Sequence, residues 1–191
     1  PAAWADAAEQ GIAELEEAGM VAEDVELDGF DDLQHLGSLI IAVEAAAYHR
    51  PRFDAAPDTF GVGMQALIQT GRSYTGVDYV QAQRVRRLLS ERLSQATREY
   101  DILLLPTSAR GACRIEDDAP QLVIPRMRNT LPFNVLGLPA ISVPAGFEPS
   151  GMPIGLQLVG KAFAEDKLLA AAYGYEQRTR WFEQRPDFAA D

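Results

Sequence analysis

Apolar residues recur at spacings of three and four over residues 3 to 18, where Trp4, Ala8, Ile12 and Leu15 share one face and Gly19 offers a stop; this spacing predicts a helix. VAEDVELDGF follows, with Val25 and Leu27 alternating with acids, which predicts an edge or half-buried strand. A second helix opens near Asp31 and Asp32, whose carboxylates suit free helix N–H groups, and carries Leu36, Leu39, Ile40 and Val43 inward. Pro51 should end it near Arg50. RPRFDAAPDTFG reads as a loop, MQALIQT as a short helix ending at Gly71, and SYTG as a turn. The longest helix then runs from about Val77 to Tyr100, with Val85, Leu88, Leu89, Leu93 and Ala96 as its apolar stripe.

Beyond Tyr100 the period changes. DILLLPTS has four consecutive apolar residues and then a proline, too short for a helix and bounded like a strand buried on both faces. ARGACRIEDDAPQLVIP is irregular, and TLPFNVL is a short helix closed by Gly137. Residues 129 to 160 combine ten Gly or Pro residues with tight apolar runs. PAISVPAGF and PIGLQLVG read as two strands of an antiparallel hairpin turned at EPSG. Pro139 and Pro144 belong at strand ends or where no ladder donor is needed, and Gly155 inside a strand permits a close approach. A last helix starts near Glu165 and Asp166 and carries Leu168, Leu169, Ala172 and Tyr175. No repeat and no linker-like break divides the chain, so the pattern predicts one unit over residues 1–191, with helices packed on a mixed sheet.

A compact chain of 191 residues buries roughly 70% of its unfolded surface and needs no disulfide or metal staple. Its net charge of −11 repels a phosphate surface, so no nucleic-acid partner is expected. Arginines 84, 86, 87, 92 and 98 are interrupted by Glu91 and Glu99 and read as a solvated helix face. A single cysteine, Cys113, fits a reducing cytoplasm. No apolar stretch reaches the roughly 18 residues a bilayer span requires, so no membrane partner is expected. The N-terminus lacks the basic and apolar regions of a signal peptide and has no initiator Met, which suggests a processed, trimmed or excised piece.

Nucleophilic catalysis needs a Ser, Cys or Thr with a base in reach and donors for the oxyanion. No GxSxG elbow is present. His35 and His49 are the only histidines; fourteen residues of straight helix separate them by about 21 Å, so they cannot grip one metal or substrate. Cys113 has basic neighbours in Arg110 and Arg114 but no nearby His. The pairs Asp31–Asp32 and Asp117–Asp118 read as a helix cap and a solvated turn, and no HExxH, GxGxxG or Walker spacing occurs. The residues therefore predict no catalytic group, no metal and no cofactor in this chain.

Taken together, several segments are similar to the C-terminal half of the amidase signature family. They are Asp101 to Thr107, Asn134, Gly137 to Ala140, Gly151 to Gln157 and Glu165 to Leu169, preceded by AELEEAG, Glu44-Ala45-Ala46 and DYVQAQRVR. The resemblance covers nearly the whole chain. It implies an α/β fold with a mixed central sheet flanked by helices, in which these strands belong to the central sheet and the breakers shape loops beside an active site. It also implies hydrolysis of a carboxamide C–N bond by a Ser nucleophile, a second Ser on a cis peptide and a Lys base, all in a Gly/Ser-rich segment N-terminal to everything here. This chain has no adjacent Ser pair, and its only lysines, Lys161 and Lys167, follow the strands and read as surface charges.

The resemblance therefore implies a partner: an N-terminal amidase portion, in the same or a separate polypeptide, with a small amide as substrate and a homo-oligomer as a further option. Thr107 and Ser108, at the end of a buried strand, and Asn134 are the candidate substrate-pocket residues. Gln157 is expected to be a satisfied core polar group, Met127 and Phe133 to be core or cavity wall, and Arg126 and Arg128 to be a solvated rim. The competing reading is a non-catalytic assembly module that keeps the fold without the chemistry. The loop from Ala109 to Pro125 is expected to set the substrate.

Overall fold

The computed structural model describes residues 2–117 and 126–185. They fall into two compact units: the described residues within 1–25, 99–112 and 137–191 form one, and those within 26–98 and 113–136 form the other.

The first unit is a helix-covered sheet. Its elements are helix α1 (Ala2–Glu17), strands β1 (Ile102–Pro106), β2 (Ala140–Phe147) and β3 (Pro153–Gly160), and one further helix at its C-terminal end, Glu165–Thr179. The strand order is β1-β3-β2, and both pairings are antiparallel. Leu104 faces Leu158 across one pair, and Ile141 faces Leu158 across the other. With the period of two, this register puts Ile102, Leu104, Ile154, Leu156, Leu158 and Val143 on one face. That face packs against Trp4, Ala7 and Leu15 of α1 and Leu168, Ala172 and Tyr175 of the last helix. Gly11 lets α1 lie close on the sheet, since a methyl there would come within 2.6 Å of Leu156. Arg178 reaches back to Glu14 and Glu17 of α1.

The hairpin turn is closed by Gly151, at φ 83°, whose N–H donates to the Glu148 carbonyl. Pro144 lies in β2, an outer strand of this sheet, where a missing donor is tolerated. β1 departs from the expected burial on both faces: all five of its residues are only half-buried. Residues 20–27 form no strand. Val25 and Leu27 keep an alternating half-burial without a ladder partner.

The second unit is helical: α2 (Phe30–Ala55), α3 (Val62–Ser73), α4 (Gly76–Ala96) and the short α5 (Leu131–Leu136). The helix Glu165–Thr179 of the first unit is therefore α6. Helix α2 starts at Gly29, in a left-handed conformation, with no side-chain cap. Asp31 and Asp32 sit in its first turn, where their charge suits the positive helix end. Pro51 does not stop this helix. An interior proline costs about 3 kcal/mol, but one more turn buries Phe53 against Ala46 and Ile68. Gly71 does not stop α3 either. Its bare Cα lies so close to α2 that a methyl would come 1.9 Å from the Ala42 carbonyl oxygen. The buried stripe of α4 is Ala82, Leu89 and Leu93, whereas Val85 and Leu88 are exposed. Arg86 occupies the seam instead and donates from Nε to the Val135 carbonyl of α5, 2.5 Å away.

Helix α4 begins with a capping box. The Thr75 hydroxyl accepts from the Asp78 N–H, and the Asp78 carboxylate accepts from the Thr75 N–H at 2.8 Å. The Thr75 hydroxyl also donates to the Asp78 carboxylate at 2.7 Å, and this bond, followed by the one from the Thr75 N–H, holds the Asp78 carboxyl below its ordinary value of 3.8. A depressed folded-state pKa stabilises above the unfolded value, and that stabilisation fades as pH falls through the folded one. Asp78→Ala is therefore expected to lower Tm at pH 7 and to lose its effect near pH 2. Equal losses at both pH values in a thermal melt would contradict the role of the charge.

Candidate functional site

The sequence places Thr107 and Ser108 just beyond β1, and the fold explains how that strand end is held. Pro106 is the last residue paired with β3, opposite Leu156. Thr107 extends the contact by one residue through its N–H, which donates to the Gly155 carbonyl at 2.8 Å. Its hydroxyl then meets that of Ser142 on β2 at 2.6 Å. The two hydroxyls meet above Gly155, where a methyl would lie 2.9 Å from each oxygen. Thr107 is half-buried and Ser142 is exposed. Ser142 is not among the residues the sequence pattern selects. The signal was available in the register, since an antiparallel hairpin with Ser142 opposite Gln157 places it on the Thr107 face.

Ser108 lies next to Thr107 but behaves differently. Its hydroxyl donates to the Arg110 carbonyl at 2.7 Å and accepts from the Arg110 N–H at 3.2 Å, holding the turn that leaves the strand. The loop continues past Gly111, whose Cα abuts the Glu148 carboxylate so closely that a methyl would clash at 2.1 Å. Glu148 also accepts from the Trp4 indole N–H at 2.7 Å and from the Ser150 hydroxyl at 3.2 Å. One carboxylate thus ties α1, the hairpin turn and the start of the loop together. Residues 118–125 of that loop lie outside the described residues.

Asn134 belongs to the second unit, on α5, where it is exposed. Its helix is positioned by Arg86 and by Gly37 of α2, where a methyl would come 2.7 Å from Val135. Phe133 is fully buried with its ring tilted against that of Phe30, centroids 5.5 Å apart, and Met127, like Phe30, packs on the core of Leu33, Leu36 and Leu131, so both serve packing. Arg128 donates to Asp31 at 2.9 Å, and Arg126 donates to the Cys113 sulfur at 3.0 Å. Gln157 is 4% exposed, and no fully buried side-chain polar atom among the described residues lacks a partner.

The remaining candidate chemistry is dispersed. His35 Nδ1 lies 3.2 Å from the Asp31 carbonyl, and His49 packs edge-on against Tyr48 and Phe60. Lys167 donates to Asp101 at 3.1 Å, and this hydrogen bond holds the Asp101 carboxyl below the usual range. Among the described residues no group of three or more His, Cys, Asp or Glu side chains is placed to hold a metal, and no helix is long and apolar enough to cross a membrane.

A family profile described as Amidase matches residues 1–169. The chain belongs to the amidase family. It is 32% identical over 209 residues to a glutamyl-tRNA(Gln) amidotransferase subunit of Picosynechococcus sp., covering 95% of this chain and 43% of the relative. The corresponding protein of Moorella thermoacetica is 32% identical, with 93% of this chain and 42% of the relative covered. Among solved structures, 6-aminohexanoate cyclic dimer hydrolase complexed with substrate superposes with a TM-score of 0.80 at 25% identity, over 96% of this chain and 42% of its own. A crystal structure of an amidase gives 0.81 at 26% identity, over 91% and 41%. The chain therefore has the amidase signature fold, with the small antiparallel sheet described above, and spans less than half the length of these relatives.

Proposed function

We propose that this chain is the C-terminal portion of an amidase-type hydrolase that cleaves a carboxamide C–N bond. The observation that carries the proposal is the family match along residues 1–169, joined to a chain that covers only 43% of its relative. In this reading an N-terminal amidase portion, on the same or a separate polypeptide, supplies a Ser–cis-Ser–Lys triad. The lysine deprotonates the cis-Ser, which activates the nucleophile. Backbone N–H groups of the Gly-rich segment hold the oxyanion. Water or another amine then releases the acyl-enzyme.

This chain completes the fold and part of the pocket. In the first unit Thr107 presents a hydroxyl just beyond β1 and Ser108 holds the turn that follows; in the second unit Asn134 presents a polar group on α5. The substrate is a small amide.

Joined to the amidase portion, the chain should release ammonia from simple amides in an assay that a serine-directed inhibitor stops. In that enzyme Thr107→Val keeps the shape of the side chain and removes the hydroxyl. One lost neutral hydrogen bond should lower kcat/KM by about 2- to 13-fold. Ser108→Ala should act chiefly on Tm, because its hydroxyl bonds its own turn. An unchanged kcat/KM in Thr107→Val would remove Thr107 from the pocket.

A further inference from the structure

Gly155 sits in the interior of β3, where a glycine weakens a strand by costing more backbone entropy and packing nothing. Its compensation lies directly above it. β1 and β2 are two strand spacings apart, about 9.5 Å, yet the side chains of Thr107, just beyond β1, and Ser142, within β2, meet at 2.6 Å across the central strand. They do so because Gly155 has no Cβ: a methyl would stand 2.9 Å from both hydroxyl oxygens and 3.2 Å from the Thr107 Cβ.

A hydroxyl carries one proton and two acceptor lone pairs. The bond between Thr107 and Ser142 uses one of the two protons. The pair retains one proton to donate and lone pairs to accept with, and Ser142 is exposed. The same sheet face carries Leu103 and Leu105 of β1, Gln157 and Val159 of β3 and Pro144 of β2, none of them charged. A carboxamide offers one carbonyl acceptor and N–H donors, which match the pair on both counts. A carboxylate only accepts. It would find one proton, face unmatched lone pairs, and meet no cation among these strand residues to offset its desolvation.

We propose that Thr107 and Ser142, brought together over Gly155, act as a single donor-and-acceptor contact for the neutral carboxamide of the substrate and discriminate against the carboxylate left by hydrolysis. This rests on the amide-hydrolase reading and names the group recognised at its pocket. It makes Ser142 a specificity residue and Gly155 its positioning residue.

The experiment uses the amidase that carries this chain, with propionamide as substrate and propionate as competitive inhibitor. Ser142→Ala and Gly155→Ala should each lower kcat/KM for propionamide by about 2- to 13-fold and leave the Ki of propionate within about twofold. Ser142→Thr, which keeps a hydroxyl, should restore most of the loss. Equal losses toward both probes would mean general damage to the pocket and would overturn the inference, as would no loss in either variant. If the enzyme hydrolyses no amide, the functional reading fails, and the pair is then tested by titrating the backbone amide signals of Thr107, Ser142 and Gly155 with each probe. Shifts that favour propionamide uphold the contact, while equal or absent shifts reject it.

Discussion

Gly71→Ala is expected to lower the melting temperature by about 5–10 °C. Two effects oppose each other at this position. Alanine is the better helix former by about 1 kcal/mol, so in open space this change stabilises a helix. At Gly71 the added methyl would lie 1.9 Å from the Ala42 carbonyl oxygen, 2.5 Å from the carbonyl carbon and 2.9 Å from the Ala46 Cβ. The obstacle is backbone, not the end of a flexible side chain, so α2 and α3 must move apart. Overpacking costs about 1–3 kcal/mol, and a rigid obstacle puts this site at or above the upper end. For a chain of this size each kcal/mol is worth about 2–4 °C. Gly63, on the same helix, has nothing within 4 Å of the corresponding methyl. Gly63→Ala should leave Tm unchanged or raise it. Thermal melts that show the same sign for both variants would refute the close packing of α2 on α3. The effect should also reach α5, because α2 carries Gly37 against Leu131 and Val135.

Gly71 also marks where sequence reasoning stops. A glycine near the end of a periodic run looks the same whether it ends a helix or admits a neighbouring one, and only the partner backbone distinguishes the two. Pro51 fails for a related reason: the cost of proline is local, while the buried Phe53 that offsets it gains from Ile68 on another helix. Segments whose period reports their own burial were legible. Helix α1, the hairpin of β2 and β3, and α6 fall within a residue or two of the expected limits. The alternation at Val25 and Leu27 is present in burial but has no ladder, since the pattern marks facing and cannot supply a partner strand. At the candidate site, the position of Thr107 just beyond a strand was legible because it follows an apolar run. Ser142 was hidden inside a strand, and its pairing with Thr107 depends on a register across three strands.

The 191-residue chain purified alone is expected to release no ammonia from any simple amide, and this is the largest functional effect anticipated. Amide hydrolysis requires a nucleophile, a base within hydrogen-bond reach and donors for the oxyanion. The Thr107 hydroxyl is bonded to a second hydroxyl and not to a base. Ser108 is committed to its own turn. Cys113 is exposed beside the Arg126 guanidinium, which has no lone pair with which to take its proton. His35 is held at the Asp31 carbonyl and His49 among aromatic rings, and Lys167 is bonded to Asp101. Losing a complete serine triad lowers kcat on the order of a million-fold in a protease, so the chain alone should fall below detection. Adding the amidase portion should bring activity back, and that portion's Ser→Ala variant should not. Ammonia release by the isolated chain that survives replacement of every serine by alanine would sink the assignment of catalysis to the N-terminal portion.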